Sequence, residues 1–441
     1  MNKQAWIEKA QQIGIEQFEI YQNISKSCEV TWFDGQMDTN VVSDIQGTSI
    51  RGIVQGHTAY MALETDDDSQ MENVLTHLKE QALLISSQEE NHLVALMDID
   101  YVKSNKTFVP ASMEQIYTLL STIEKKVLAY DPRIVQVGYL TWNQGSGSRE
   151  ITNSLGLHVQ DEDEIQYIAC TAIAQENDEY KDETKIEIVY DIQNLNIDQF
   201  VKELCESTLE KLGAHSIPSQ TCPIILEKEA MTSLFANLSD MFNGESIAKE
   251  LSPISNKINK PIFSEKITIV DNPKNTDCLS IANFDDEGYP TSKKTVVDHG
   301  IFTTILHNTK SAAKMNMQST GNGFKSGYAS SVGISPMNLY IEPGQKTLSQ
   351  LEEQMQNGLV ITELMGQHAG IRHVTTDFSL QASGYWVENG KRSHAVTLIT
   401  IANNYLDMMK HVVAVGNDLE WKYKQIACPS ILFESCQISG E

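Results

Sequence analysis

Four turn signals constrain this chain more than any other feature. Asp34-Gly35 and Gln55-Gly56 lie near the start, and Asp298-His299-Gly300 and Glu388-Asn389-Gly390 lie towards the end. Each separates runs rich in β-branched and aromatic residues. Glycine adopts positive φ without steric penalty, so such a turn between two β runs predicts a tight hairpin. The flanking runs in the first region are Phe18–Tyr21, Glu29–Phe33, Val41–Ile45, Ser49–Val54 and Thr58–Leu63. Helical periodicity appears beside them rather than between them: Trp6, Ile7, Ala10 and Ile13 before, and Met71, Val74, Leu75, Leu78, Ala82 and Leu83 after. Helices clustered next to hairpins, instead of alternating β-α-β, predict an α+β fold.

The pattern repeats in a second region. Ser112-x-x-Gln115 has capping-box spacing and precedes the stripe Ile116, Leu119, Leu120, Ile123, Val127 and Leu128. Strands are expected at Ile134–Trp142, Gly156–Val159 and Gln166–Gln175. A further helix carries Ile197, Phe200, Val201, Leu204 and Leu209, with Gly213 as its cap. The third region opens with the strand Cys222–Leu226 and the helical stripe Ala230, Met231, Leu234, Phe235, Leu238, Met241 and Phe242. Beyond that it reads mostly as β, with one more helix at Leu348–Asn357 behind Thr347. Irregular stretches at Lys103–Pro110 and His215–Gln220 mark the joints. The expected organisation is an N-terminal α+β domain over 1–108, a middle α+β domain over 109–217, and a large, mostly antiparallel β domain over 218–441.

Charge and composition exclude several functions. Fifty-nine acidic residues against 33 Lys and Arg give a net charge of −26, so no nucleic acid or anionic membrane partner is expected. No apolar run approaches the ~20 residues of a membrane span, and Met1–Tyr21 lacks the apolar centre of a signal peptide. The seven cysteines are scattered without a C-x-x-C, which argues against a disulfide framework and for the cytoplasm.

A search for self-standing chemistry finds little. His368, His373 and Asp377 are the nearest approach to a metal set, and as loop side chains they are accounted for by solvation and hydrogen bonding. There is no G-x-S-x-G, and Ser379 and Ser383 read as strand and turn serines. Cys222 and Cys428 read as packing residues. The glycine-rich Gly321–Gly327 does not have P-loop spacing; its glycines suit a backbone that approaches another segment or a peptide. Arg51, on a strand, is expected to face solvent by default.

The third region carries a series of strings in a characteristic order. Phe284-Asp285-Asp286-Glu287-Gly288-Tyr289-Pro290-Thr291 comes first, then Ser319-Thr320-Gly321-Asn322-Gly323 and Ile341-Glu342-Pro343-Gly344. Ile361-Thr362-Glu363-Leu364-Met365-Gly366, Asp377-Phe378-Ser379, Ala382–Gly390 and Val415-Gly416-Asn417-Asp418-Leu419 follow. In this order they resemble the C-terminal domain of the TldD/PmbA family, also described as modulators of DNA gyrase. Gly47–Gly56 with Arg51 resembles the family's first domain, and Asn153-Ser154-Leu155-Gly156 its middle one.

The resemblance implies a peptidase complex of two kinds of chain. In the TldD branch a helix carries H-E-x-x-x-H, in which two histidines hold zinc and the glutamate can activate water. Here Lys228 and Ser233 stand at the two histidine positions, and Glu229 matches the glutamate. An ammonium has no lone pair for zinc, and a hydroxyl is a poor ligand. These departures match the PmbA branch, also called TldE. The implied chain therefore has no metal and no catalytic residue of its own, and zinc is expected only in a TldD-type partner. Cys428 is not equated with the cysteine ligand of the TldD branch. Glu229 reads as a carboxylate at a helix N-terminus, and Lys228 as its exposed neighbour or as a plug. Gly321, Asn322, Gly323, Gln367, His368 and Asp377 are the candidates for contact with a peptide substrate or partner. A dimer is the implied assembly. The alternatives are an independent hydrolase using His368, His373 and Asp377, and a non-catalytic regulator of the gyrase-modulator kind.

Overall fold

The computed structural model describes residues 1–85 and 92–441. The first two regions share one six-stranded antiparallel sheet. Its order is His57–Leu63, Gln36–Val54, Gln17–Phe33, Ile134–Asn153, His158–Glu176 and Glu179–Ile188. Three strands come from each region. They join where Gln17–Phe33 pairs with Ile134–Asn153, from Glu19 opposite Asn153 to Thr31 opposite Thr141.

Alternation decides which side is covered. Phe18, Ile20 and Val30 point to one face, where helices Lys3–Gln12 and Met71–Leu84 pack on one half and Met113–Leu128 and Ile197–Glu210 on the other. Ser112 and Gln115 close the expected capping box. Glu19, Tyr21, Ser49 and Arg51 point to the opposite face, which receives the C-terminal region. Gly47 lies on that face because a Cβ there would sit 2.3 Å from the Tyr328 ring.

The strands are longer than the expected runs. Gln17–Phe33 and Gln36–Val54 are continuous, Ile134–Asn153 runs on beyond Trp142, and His158–Glu176 joins two runs that the sequence divides. Their outer parts are polar or solvent-exposed, so the ladder continues where the apolar signal stops. All four turn signals form the expected hairpin turns, with positive φ at both residues of each tight turn.

In the C-terminal region, Lys391–Asn404, Asp377–Glu388, Gly358–Met365, Gln220–Leu226 and Ile431–Ser439 pair in that order. Ile431–Ser439 then pairs back onto Lys391–Asn404, which closes a ring. Most of its pairings are antiparallel; Leu359–Ile361 runs parallel to Ile224–Leu226. A second sheet holds Ile301–Phe302, Lys294–Asp298, Ile269–Asp271, Leu339–Ile341 and Ile426–Ala427. One large apolar core spans both sheets and helix Lys228–Leu238.

Candidate functional site

The strand Gln220–Leu226 delivers helix Lys228–Leu238 into this core. Ala230, Met231, Leu234, Phe235 and Leu238 are buried, which leaves the face of Lys228, Glu229, Thr232 and Ser233 for other contacts. The segment from Asp418 to Ala427 lies against that face. Asp418 pins it by accepting from Ser430 N–H at 2.9 Å and Ser430 Oγ at 2.6 Å, and Ile426–Ala427 pairs with Leu339–Tyr340. Cys428 N–H donates to Thr232 Oγ1 at 2.9 Å.

Three lysines converge here. Lys422 Nζ is 2.7 Å from Glu229 Oε1, and Lys424 Nζ is 3.3 Å from Glu229 Oε2. Lys228 Nζ is paired with the Glu420 carboxylate. Partial burial pushes the Glu229 carboxyl up, but Lys422 and Lys424 outweigh it and hold the group below its ordinary range. Ser233 Oγ accepts from Gln367 Nε2 at 2.9 Å, and Gln367 also donates to the carbonyl of Leu364. The remaining cavity is about 10 Å³, the room of one water.

A divalent cation does not fit this donor set. Three ammonium groups and two carboxylates carry a net charge of +1, and no ammonium has a lone pair to offer. Among the described residues, no three His, Cys, Asp or Glu side chains are grouped to hold a metal.

A second ionic cluster sits between the six-stranded sheet and the C-terminal region. Arg51 Nη2 donates to Glu19 Oε2 at 2.9 Å, and Nη1 approaches Glu287 Oε1 at 3.4 Å. All three side chains are at most 3% exposed. Burial opposes the charge on Arg51, but Glu19 and Glu287 outweigh it and raise the guanidinium's pKa. Beside it, Asp286 accepts from Arg149 Nη1 at 2.8 Å, Tyr21 Oη at 3.2 Å and the Lys325 N–H at 2.7 Å. This joint borders an open cleft of about 520 Å³, whose walls include Tyr21, Arg149, Asp163, Phe324 and Lys325. The cleft and the lysine cluster are neighbours in the chain: Gln425 lines the first, while Lys424 and Ile426 line the second.

The expected site residues are distributed between these places. Gly321, Asn322 and Gly323 are buried and turned inward. Asn322 donates to Asp271 Oδ2 and accepts from Lys294, and Gly323 N–H donates to Asp285 Oδ2. A Cβ on Gly323 would stand 2.8 Å from Glu287 Oε2. These glycines let the loop pack against its own acidic turn; the part that meets the cleft is Phe324, Lys325 and Ser326. Gln367 stands at Ser233. His368 and His373 are exposed. Asp377 is exposed too, held below the usual carboxylate range by hydrogen bonds from Asn404 and Thr375. With Asp377 they form no metal-holding group among the described residues. Arg51 reverses its expectation: it faces the domain joint, not solvent, because its strand face is covered by Glu287 and its neighbours. Cys222 and Cys428 are buried with raised thiol pKa values, as packing residues should be.

Sequence reasoning missed Glu420, Lys422 and Lys424. Their signal is a period of two through Trp421 and Tyr423, which places all three on one side of an extended segment. It also missed Glu19 and Arg149, whose charges are meaningful only once the sheet places them against the turn Phe284–Gly288.

Comparison with known proteins agrees with this architecture. Residues 18–82, 106–212 and 219–440 match the family models of PmbA/TldA metallopeptidase domain 1, central domain and C-terminal domain, respectively. Metalloprotease PmbA of Escherichia coli O157:H7 is 30% identical over 337 residues, covering 76% of this chain and 72% of that one. A PmbA homologue of Haemophilus influenzae is 27% identical over 93% of this chain and 85% of its own length. A Thermotoga maritima structure described as a DNA-gyrase modulator superposes with a TM-score of 0.88 at 28% identity, covering 99% of each chain. TldE of Thermococcus kodakarensis shares the fold, with a TM-score of 0.90 at 21% identity over 99% of this chain and all of that one. On its three matched domains, its relatives and its fold, the chain belongs to the PmbA/TldD metallopeptidase family, on the PmbA (TldE) side.

Proposed function

We propose that this chain is the metal-free subunit of a TldD-type metallopeptidase complex, acting in the cytoplasm on unfolded or modified peptides. It pairs with a chain that carries H-E-x-x-x-H and the zinc. One observation carries the reading. At the helix where that motif belongs, Lys422 and Lys424 pair with Glu229, Lys228 pairs with Glu420, and Ser233 is engaged by Gln367. Glu229 is thus a partner of ammonium groups and has no metal-bound water to deprotonate. No step of peptide cleavage runs through this chain's own helix. Its part is to shape the partner and the path of the peptide, with Phe324–Ser326 and the Gln367–Asp377 segment as contact surfaces.

The test is reconstitution. The chain is mixed with an H-E-x-x-x-H chain from the same source, and complex formation and casein hydrolysis are measured. A stable complex that hydrolyses casein, with this chain alone inactive, is expected. Full activity of the partner alone without any association, or zinc-dependent hydrolysis by this chain alone, would contradict the proposal.

A further inference from the structure

Lys325 is a half-buried cation whose ammonium is held by neutral acceptors. Its Nζ donates to Ser49 Oγ at 2.9 Å and, weakly, to the carbonyl of Tyr328 at 3.4 Å. Both acceptors are neutral. The ammonium also lies 4.2 Å from the centre of the Tyr21 ring. Among the described residues it forms no ion pair, although Arg51 and Arg149 nearby are each paired with carboxylates. Burying a charge without pairing it is costly, so natural structures rarely retain such a group idle. Lys325 also lines the cleft of about 520 Å³, a size ordinary for a site that takes a small ligand.

We propose that this cleft binds the free C-terminus of a short peptide, with the terminal carboxylate seated on Lys325 Nζ. The other walls select among anions. Glu162 and Asp163 line the same cleft and make no ion pair among the described residues, and Asp163 is folded over Gly147, where a Cβ would lie 2.2 Å from its Oδ1. Burial raises the Asp163 carboxyl. A dianion such as phosphate is repelled by this wall. A zwitterion satisfies both ends, since its ammonium meets the acids and its carboxylate meets the lysine. Ile281, Phe324, Ile334 and Met337 supply apolar surface for a side chain. Burial draws the Lys325 ammonium down to about 8, and a bound carboxylate opposes that shift by favouring the charged form. The inference concerns this chain alone and stands whether or not a zinc-bearing partner is required.

Calorimetric titration of the isolated chain tests it with three probes: the tripeptide Ala-Ala-Phe as the free acid, the same tripeptide with an amidated C-terminus, and inorganic phosphate. The free acid should bind, the amide should bind at least tenfold more weakly, and phosphate should not displace the acid. Lys325→Met should erase the difference between acid and amide, while Lys325→Arg should retain it. The acid–amide comparison uses the unaltered chain, so it decides the matter even if Lys325→Met fails to fold. No binding of the free acid, equal binding of acid and amide, or displacement by phosphate would overturn the proposal.

Discussion

The two ionic clusters differ in what surrounds them. The cluster at Glu229 is built from side chains 34–45% exposed, on a helix terminus and an extended surface segment. The cluster at Arg51 is at most 3% exposed and joins elements more than two hundred residues apart. Exposed pairs are screened by water and salt and contribute little to stability. Buried charges are expensive to desolvate, so removing one partner strands the others. The first cluster is therefore expected to add little to stability, and the second to help hold the sheet and the C-terminal region together.

The sharpest way to break this contrast is Arg51→Met. It leaves Glu19 and Glu287 buried without their cation and should cost about 3–5 kcal/mol in chemical denaturation near neutral pH. A loss below ~1 kcal/mol would place both clusters in one class.

Acid probes the same buried side. His307 lies two residues before Thr309, whose N–H and hydroxyl both bind Glu287. It is fully buried, and burial holds its imidazole down at about 4 against an ordinary 6.5. The folded state thus prefers the neutral ring. This contribution is complete above the ordinary value and is lost as the pH falls from about 6.5 through 4, reaching on the order of 3 kcal/mol. Denaturation midpoints of the parent and His307→Gln should converge across that window. Parallel pH profiles would remove His307 from the account.

The smallest effect is expected at the exposed cluster. Lys422→Met with Lys424→Met should change stability by less than ~1 kcal/mol, and the change should shrink further in 1 M salt. A loss as large as that of Arg51→Met would mean that the lysine cluster holds the fold and does not merely fill a site.

Much of the architecture was legible in the sequence, because hairpin turns and helix caps are local. Asp34-Gly35 needs positive φ at both residues, and Ser112 and Gln115 satisfy each other within one helical turn. Merging of the first two regions into one sheet was not legible, since Gln17–Phe33 has two edges and nothing local chooses the partner of the second. The site was half legible. Lys228 and Ser233 declare themselves against a motif, whereas Lys422 and Lys424 matter only because Asp418 and Ser430 fold their segment back onto Glu229. Arg51 was misread for the same reason: its strand shows alternation but not which face is covered. The glycines of Gly321–Gly323 read correctly as a close approach, yet what approaches is the chain's own Asp285–Glu287 turn.

The central claim is that ammonium groups occupy the place of a metal beside Glu229. Dialysis of the purified chain against zinc, followed by metal analysis alongside a Glu229→Gln variant, tests it directly. Equal, substoichiometric zinc in both proteins is predicted. One tightly held equivalent in the parent that disappears in Glu229→Gln would contradict it.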